Sequence, residues 1–199
     1  QTDGEPVRER ELITLGGKRI KDVAGLPLLK LFVGSEGTLG IVTRAILRLV
    51  PQQGARSTLV ATFPGVRAAA DAVVAMRSTM RPSMLELMDR ASINAVEDYQ
   101  PMGLDREAGA LLIAQTDAPG AARGEELAVM QAACEAQGAE VFVTDDGDEG
   151  EMFVQARRAS FPALERRGSL LLEDVGAPVP LLPDLLDAIA AIAERHGVE

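Results

Sequence analysis

The chain has 199 residues, enough for one sizeable domain or two small ones, and its 47% hydrophobic content can supply a core. With 30 acidic against 20 basic residues it carries a formal net charge of −10. That balance argues against nucleic acid or an anionic membrane surface as partner, since both need basic patches; it leaves room for an anionic small substrate held by one or two local cations. The single cysteine, Cys134, excludes an internal disulfide and fits a reducing compartment, and the single histidine, His196, excludes a multi-histidine metal site within the chain. No run approaches the length of a membrane span, and the N-terminal residues lack the make-up of a signal peptide. Gln1 to Glu5 do not read as a natural start, and Arg195 to Glu199 end without a closing tail, so the expectation is a fragment of a longer protein.

In chain order, residues 1–9 read as a polar loop and Glu11 to Leu15 as a short strand closed by the turn Gly16-Gly17. Leu28 to Phe32 has the length of one helical turn. Ile41 to Val50 places Ile41, Thr43, Ala45, Leu47 and Leu49 on one face, the pattern of a long strand buried on one side. Pro51 ends it, and residues 52–57 read as a linker, which divides the chain into 1–51 and 58–199.

Beyond the linker, strands are expected at Thr58 to Phe63, Met84 to Met88, Ala110 to Gln115, Glu140 to Thr144 and Ser169 to Glu173. Helices are expected between them: from Val66 to about residue 78, from the N-cap Asp89 to about Asp98, and through Leu127, Met130 and Cys134 to near Gly138. A further helix runs from about Gly150 to Arg158 and on past Pro162. The last starts near Pro183 and stripes through Leu185, Leu186, Ile189 and Ile192. Asp145 to Glu149 read as a solvated acidic turn. Alternating short elements fit helices on a mainly antiparallel sheet, and equally a parallel one.

Chemistry is carried first by Leu31 to Thr43, where Gly34, Gly37 and Gly40 recur every third residue around Glu36 and run into an apolar segment. Glycines allow sharp turns and close backbone approach, and the amides freed by such a turn can cradle a phosphate or a ring edge. On the residues alone, a tight turn before a strand and a cofactor-contacting edge both stay open.

Lys30 to Pro51 resembles, nearly residue for residue, the end of the FAD-binding domain of FAD-linked oxidases of the vanillyl-alcohol oxidase type. Within them it looks most like the D-2-hydroxy acid dehydrogenases, which include the glycolate oxidase flavin subunit and D-lactate dehydrogenase. The resemblance continues at Gly16 to Lys18, Lys21 to Gly25, Met84 to Arg90, Glu151 to Leu164 and Glu173 to Pro178. It implies an α+β fold: the C-terminal part of an FAD-binding domain over 1–51, then an incomplete ferredoxin-like cap domain over 58–199. It implies FAD as cofactor, lined by Glu36, Gly37, Thr38, Leu39, Gly40, Ile41 and Val42, mostly through backbone groups.

The same resemblance aligns Arg157 with an arginine that holds the substrate carboxylate, a task suited to the guanidinium fork. From the residues alone Arg157 is an exposed helix arginine or one paired with Asp or Glu; Arg158 is the fallback. The family's tryptophan before this arginine is replaced here, with Phe153 and Val154 in that region, and Leu26-Pro27 stands for its Tyr-Asp. Leu172 occupies the place of a lysine that reads a second carboxylate, which favours a smaller or more apolar 2-hydroxy acid over a dicarboxylate.

The family's pyrophosphate loop and its histidine-rich metal and base segment fall outside this sequence, so no catalytic residue and no metal ligand is assigned. His196 reads as a solvated helix end beside the C-cap Gly197, and Cys134 as a small core residue. The implied activity is oxidation of a glycolate- or D-lactate-like acid to the 2-oxo acid. Electrons would pass to a quinone, an electron-transfer flavoprotein or a partner subunit. The setting is cytoplasmic or peripheral to the membrane, with a homo-oligomer admitted. Two alternatives are a non-catalytic interaction module and an alkyl-dihydroxyacetonephosphate synthase-like flavoenzyme.

Overall fold

The computed structural model describes residues 12–21, 23–50 and 54–198, and the chain divides into two compact units, Gln1–Gln52 and Gln53–Glu199. Among its described residues the first unit holds one helix, α1 (Leu28–Phe32), and no strand. The helical turn is where the sequence places it. The two strands expected in this unit are not formed: Leu12 to Leu15 and Ile41 to Val50 carry no ladder, while Glu11 lies outside the described residues. A strand exists only by pairing its N–H and C=O groups with a neighbour, and no described segment supplies one. The apolar side chains meant for a buried face are therefore exposed, Ile41 at 85% and Leu49 at 91%.

The second unit is built on a four-stranded sheet of β1 (Ser57–Phe63), β2 (Met84–Asp89), β3 (Ala110–Thr116) and β4 (Glu140–Thr144). The strand order is β2-β3-β1-β4 and every pairing is antiparallel. The helices α2 (Val66–Thr79) and α4 (Ala121–Glu135) make the two crossovers that each skip a strand, and α3 (Arg90–Tyr99) joins β2 to β3. This is the split βαβ arrangement of a ferredoxin-like α+β fold, so the antiparallel alternative is the correct one. The chain continues through α5 (Gly147–Arg158), α6 (Ser160–Glu165), a short 3-10 turn at Val179–Leu181 and α7 (Leu182–His196).

Period-2 alternation sends side chains to two cores. Leu59, Ala61 and Phe63 of β1 join Leu112 and Ala114 of β3, with Ala72 and Met76 of α2 and Met130 and Cys134 of α4. Val60, Leu111, Ile113 and Met88 face the other way, under Ile93 and Val96 of α3, Ala156 of α5 and Ala163 of α6. The C-terminal helix α7 packs on α2, where Arg67 Nη1 reaches Asp184 at 2.8 Å and Asp187 at 2.5 Å.

Caps form as the residues dictate. Asp89 accepts from the Ser92 amide at 2.8 Å, and Gly197, with φ +62°, closes α7 beside the exposed His196. Two expectations are corrected. The acidic turn Asp145 to Glu149 is instead a helix start: Asp146 accepts from the amides of Asp148 and Glu149, and α5 begins at Gly147. Carboxylates at a helix N-terminus face unpaired amides and the positive end of the helix dipole, which favours this earlier start. Ser169 to Glu173 forms no strand, because neither sheet edge takes it up; Leu171 and Leu172 are exposed.

Candidate functional site

The loop after α1 turns tightly. Ser35 N–H donates to Phe32 O and Thr38 N–H to Ser35 O, and Thr38 Oγ1 also donates to Ser35 O at 2.6 Å. Positive φ recurs at Gly34 (+86°), Glu36 (+49°), Gly37 (+80°) and Gly40 (+159°). Glu36 is the one non-glycine among the described residues with positive φ, a conformation that costs an L-residue about 1 kcal/mol. Past this turn, the amides of Gly37, Leu39, Gly40, Ile41 and Val42 make no hydrogen bond to another described residue. Leu39, Ile41 and Val42 are exposed beside them. A row of available donors flanked by small and apolar side chains suits the polar edge and flat face of a heteroaromatic ring.

Arg157 stands in the second unit, in the last turn of α5. Its Nε donates to Glu86 Oε2 of β2 at 2.8 Å, with the side chains 42% and 37% exposed. Of the readings open on the residues alone, an exposed helix arginine or one paired with Asp or Glu, the paired one is formed, and it engages only one of the guanidinium's nitrogens: Nη1 and Nη2 bond to no other described residue. Arg158, the fallback, is tied to Glu151 of its own helix at 2.7 Å on an exposed face.

The helix α5 crosses the second core face. Phe153 meets Phe142 of β4 with ring centroids 6.0 Å apart, and Val60, Thr62, Leu104, Leu111 and these two phenylalanines line an open cleft of about 300 Å³. Arg157 is not part of that lining. The loop 36–42 and Arg157 belong to different units.

Cys134 is fully buried, and burial, with Glu135 nearby, pushes its thiol up to about 12, so it is a protonated core group and no nucleophile. The residue that sequence reasoning missed is Glu86. Its signal was present: in Met84-Leu-Glu-Leu-Met88 the even positions share one face, so a carboxylate sits between two inward methionines.

Residues 52–199 match the family described as FAD linked oxidases, C-terminal domain. The chain belongs to this family. The glycolate oxidase subunit GlcD of Bacillus subtilis (strain 168) is 37% identical over 192 residues, 94% of this chain and 41% of that protein. The D-lactate dehydrogenase of Archaeoglobus fulgidus is 41% identical over 86 residues, 43% of this chain and 19% of that protein. Among solved structures, an alkyldihydroxyacetonephosphate synthase aligns with a TM-score of 0.62 at 19% identity, over 88% of this chain and 38% of that one. At that identity the likeness is one of fold, and it agrees with the α+β architecture. The resemblance drawn from Lys30 to Pro51 to FAD-linked oxidases is borne out. As a member of the FAD-linked oxidase C-terminal family, the chain spans 41% and 38% of the lengths of the two GlcD subunits it matches in Bacillus subtilis and Escherichia coli K12.

Proposed function

We propose that this chain is part of an FAD-dependent enzyme that oxidises a small D-2-hydroxy acid, glycolate- or D-lactate-like, to the 2-oxo acid. The observation that carries the reading is the 37% identity to a glycolate oxidase subunit over 94% of the chain. Residues 1–51 then supply the C-terminal edge of the FAD-binding domain, and 58–199 the cap that covers the substrate.

The residues of the loop fit FAD. Of Glu36, Gly37, Thr38, Leu39, Gly40, Ile41 and Val42, the amides of Gly37, Leu39, Gly40, Ile41 and Val42 are available donors and Leu39, Ile41 and Val42 give an exposed apolar strip, while Glu36, with its positive φ, and Thr38, whose amide donates to Ser35 O, shape the turn. FAD, when bound, supplies the two-electron acceptor for the hydride leaving the α-carbon. Arg157 orients the substrate by holding its carboxylate, which a guanidinium does with two parallel hydrogen bonds.

Relatives named as oxidase subunits support partner subunits, which together with a quinone or an electron-transfer flavoprotein are the candidate electron acceptors. No helix among the described residues is long and apolar enough to cross a membrane. We place the enzyme in the cytoplasm, peripheral to the membrane where a quinone is the acceptor.

The test is anaerobic flavin bleaching in the flavin-loaded enzyme by glycolate, D-lactate, L-lactate and D-2-hydroxyglutarate in turn. Bleaching by glycolate or D-lactate, and little by the dicarboxylate, is the expected result. A flavin that none of the four acids reduces defeats the proposal, and would favour the alkyl-dihydroxyacetonephosphate synthase-like reading or a non-catalytic module.

A further inference from the structure

Glu86, Ile113, Val60 and Phe142 stand side by side across the four strands, since Glu86 registers with Ile113, Ile113 with Val60, and Val60 with Phe142. All four belong to the face that α5 covers, and Glu86 is the one charged group in this row. Its neighbours along β2 on that face, Met84 and Met88, are apolar and packed into the core. Arg157 is the partner of this half-buried carboxylate, at 2.8 Å.

The pair is more than a third exposed at both ends, so its attraction is screened and contributes little to stability. What it does supply is orientation. Phe153, one helical turn before Arg157, rests on Phe142, so α5 is fixed over the same row at two points. Glu86 takes only the Nε–H. The guanidinium plane is thereby held while Nη1 and Nη2, its end-on fork, stay available for a second carboxylate. Without Glu86, a long half-exposed arginine would sample its rotamers and lose that pre-set direction.

We infer that Glu86 is a positioning residue, which holds Arg157 so that its outer two nitrogens meet the carboxylate of the substrate. This rests on the reading of Arg157 as the substrate's carboxylate anchor.

The experiment is a double-mutant cycle in the flavin-loaded enzyme with Glu86→Ala, Arg157→Met and both together. Three quantities are read: KM and kcat for the preferred hydroxy acid, the Kd of oxalate from its perturbation of the flavin spectrum, and Tm. The expected result for Glu86→Ala is a rise in KM and in the oxalate Kd on the order of tenfold, the loss of about one charge-assisted hydrogen bond. The kcat stays within about twofold of the parent, because the effect is on binding. Glu86→Gln, which keeps an acceptor oxygen, recovers part of the loss. In the Arg157→Met background, Glu86→Ala adds nothing further.

If Arg157→Met raises KM and Glu86→Ala does not, the positioning role is overturned while Arg157 keeps its own. If Arg157→Met leaves KM and the oxalate Kd unchanged, the anchor reading fails and the inference with it. A fall in KM on Glu86→Ala would make Glu86 a competitor for the guanidinium and overturn the positioning role. So would a loss confined to Tm.

Discussion

Gly109 lies against the backbone of Pro64: a Cβ built on Gly109 would fall 2.1 Å from the Pro64 carbonyl oxygen and 2.6 Å from Gly65 Cα. The approach lets the Gly109 amide donate to Phe63 O at 2.9 Å, extending the β1–β3 pairing by one bond past Ala110. The φ of Gly109 is not in the left-handed region, so the requirement is for space. Gly109→Ala must push two backbone segments apart and is expected to cost about 3 kcal/mol, at the upper end of overpacking effects. Urea unfolding followed by circular dichroism measures it. A midpoint equal to that of the parent chain would mean the turn opens freely.

Glu97 is 6% exposed on α3, and its Oε1 accepts from the amides of Met102 at 2.9 Å and Leu104 at 2.8 Å. One side chain thus closes the loop that carries Leu104 onto the second core. Glu97→Ala strands two amides and is expected to lose about 3 kcal/mol. Glu97→Gln keeps an oxygen in place and should lose about 1 kcal/mol. Equal effects of the two substitutions would show that the carboxylate's charge, not its acceptor, closes the loop.

How far the sequence can be read is decided by where each signal's partner lies. The short, largely apolar runs Thr58 to Phe63 and Ala110 to Gln115 read correctly as strands because both neighbours of each are in the same unit, and Asp89 was legible as a cap because its target amide is three residues away. Alternation in Ile41 to Val50 says which face wants burial and nothing about what buries it; no described residue pairs there. Ser169 to Glu173 failed for that reason too, since apolar content alone does not supply a sheet edge. At the site, the glycine spacing located the turn at 34–40, whereas the Glu86–Arg157 pair joins residues 71 apart and emerged only from the fold.

Asp98 joins three segments: it accepts from Arg106 at 2.8 Å and from Arg167 at 2.9 Å. The hydrogen bond from Arg106, then that from Arg167, holds its carboxyl below the ordinary value of 3.8. A depressed carboxyl stabilises the fold fully above its unfolded value, and that stabilisation is lost as pH falls through the folded value. Asp98→Asn is therefore expected to lower stability at neutral pH and to flatten the acid limb below about pH 4. The check is Tm against pH for both proteins; parallel acid limbs would remove Asp98 from the acid response.

Cys134 predicts the opposite limb. Its thiol is raised from 9.0 to about 12, mainly by burial, so the native chain keeps it protonated where the unfolded chain ionises it. The stabilisation is complete below the unfolded value and is lost as pH rises from 9.0 toward about 12. Cys134→Ala should remove that part of the alkaline slope. The native thiol should also resist iodoacetamide at pH 8 and react once the chain is unfolded in urea. Rapid alkylation of the folded chain would contradict its burial.

Glu36 offers the sharpest test of the cofactor loop, because its φ of +49° is set by the turn and disfavoured by its own Cβ. Glycine takes this conformation without strain, whereas a β-branched residue meets it at its worst. If residues 36–42 hold FAD through backbone groups, Glu36→Gly should bind FAD about as well as the parent, since no side-chain contact is lost. Glu36→Val should raise the FAD Kd by about tenfold, the equivalent of one strained residue. Flavin retained through gel filtration, with Kd from fluorescence quenching, separates the two. A large loss in Glu36→Gly would instead assign the Glu36 carboxylate itself a contact with the cofactor, and a Glu36→Val protein with undiminished affinity would move the flavin away from this loop.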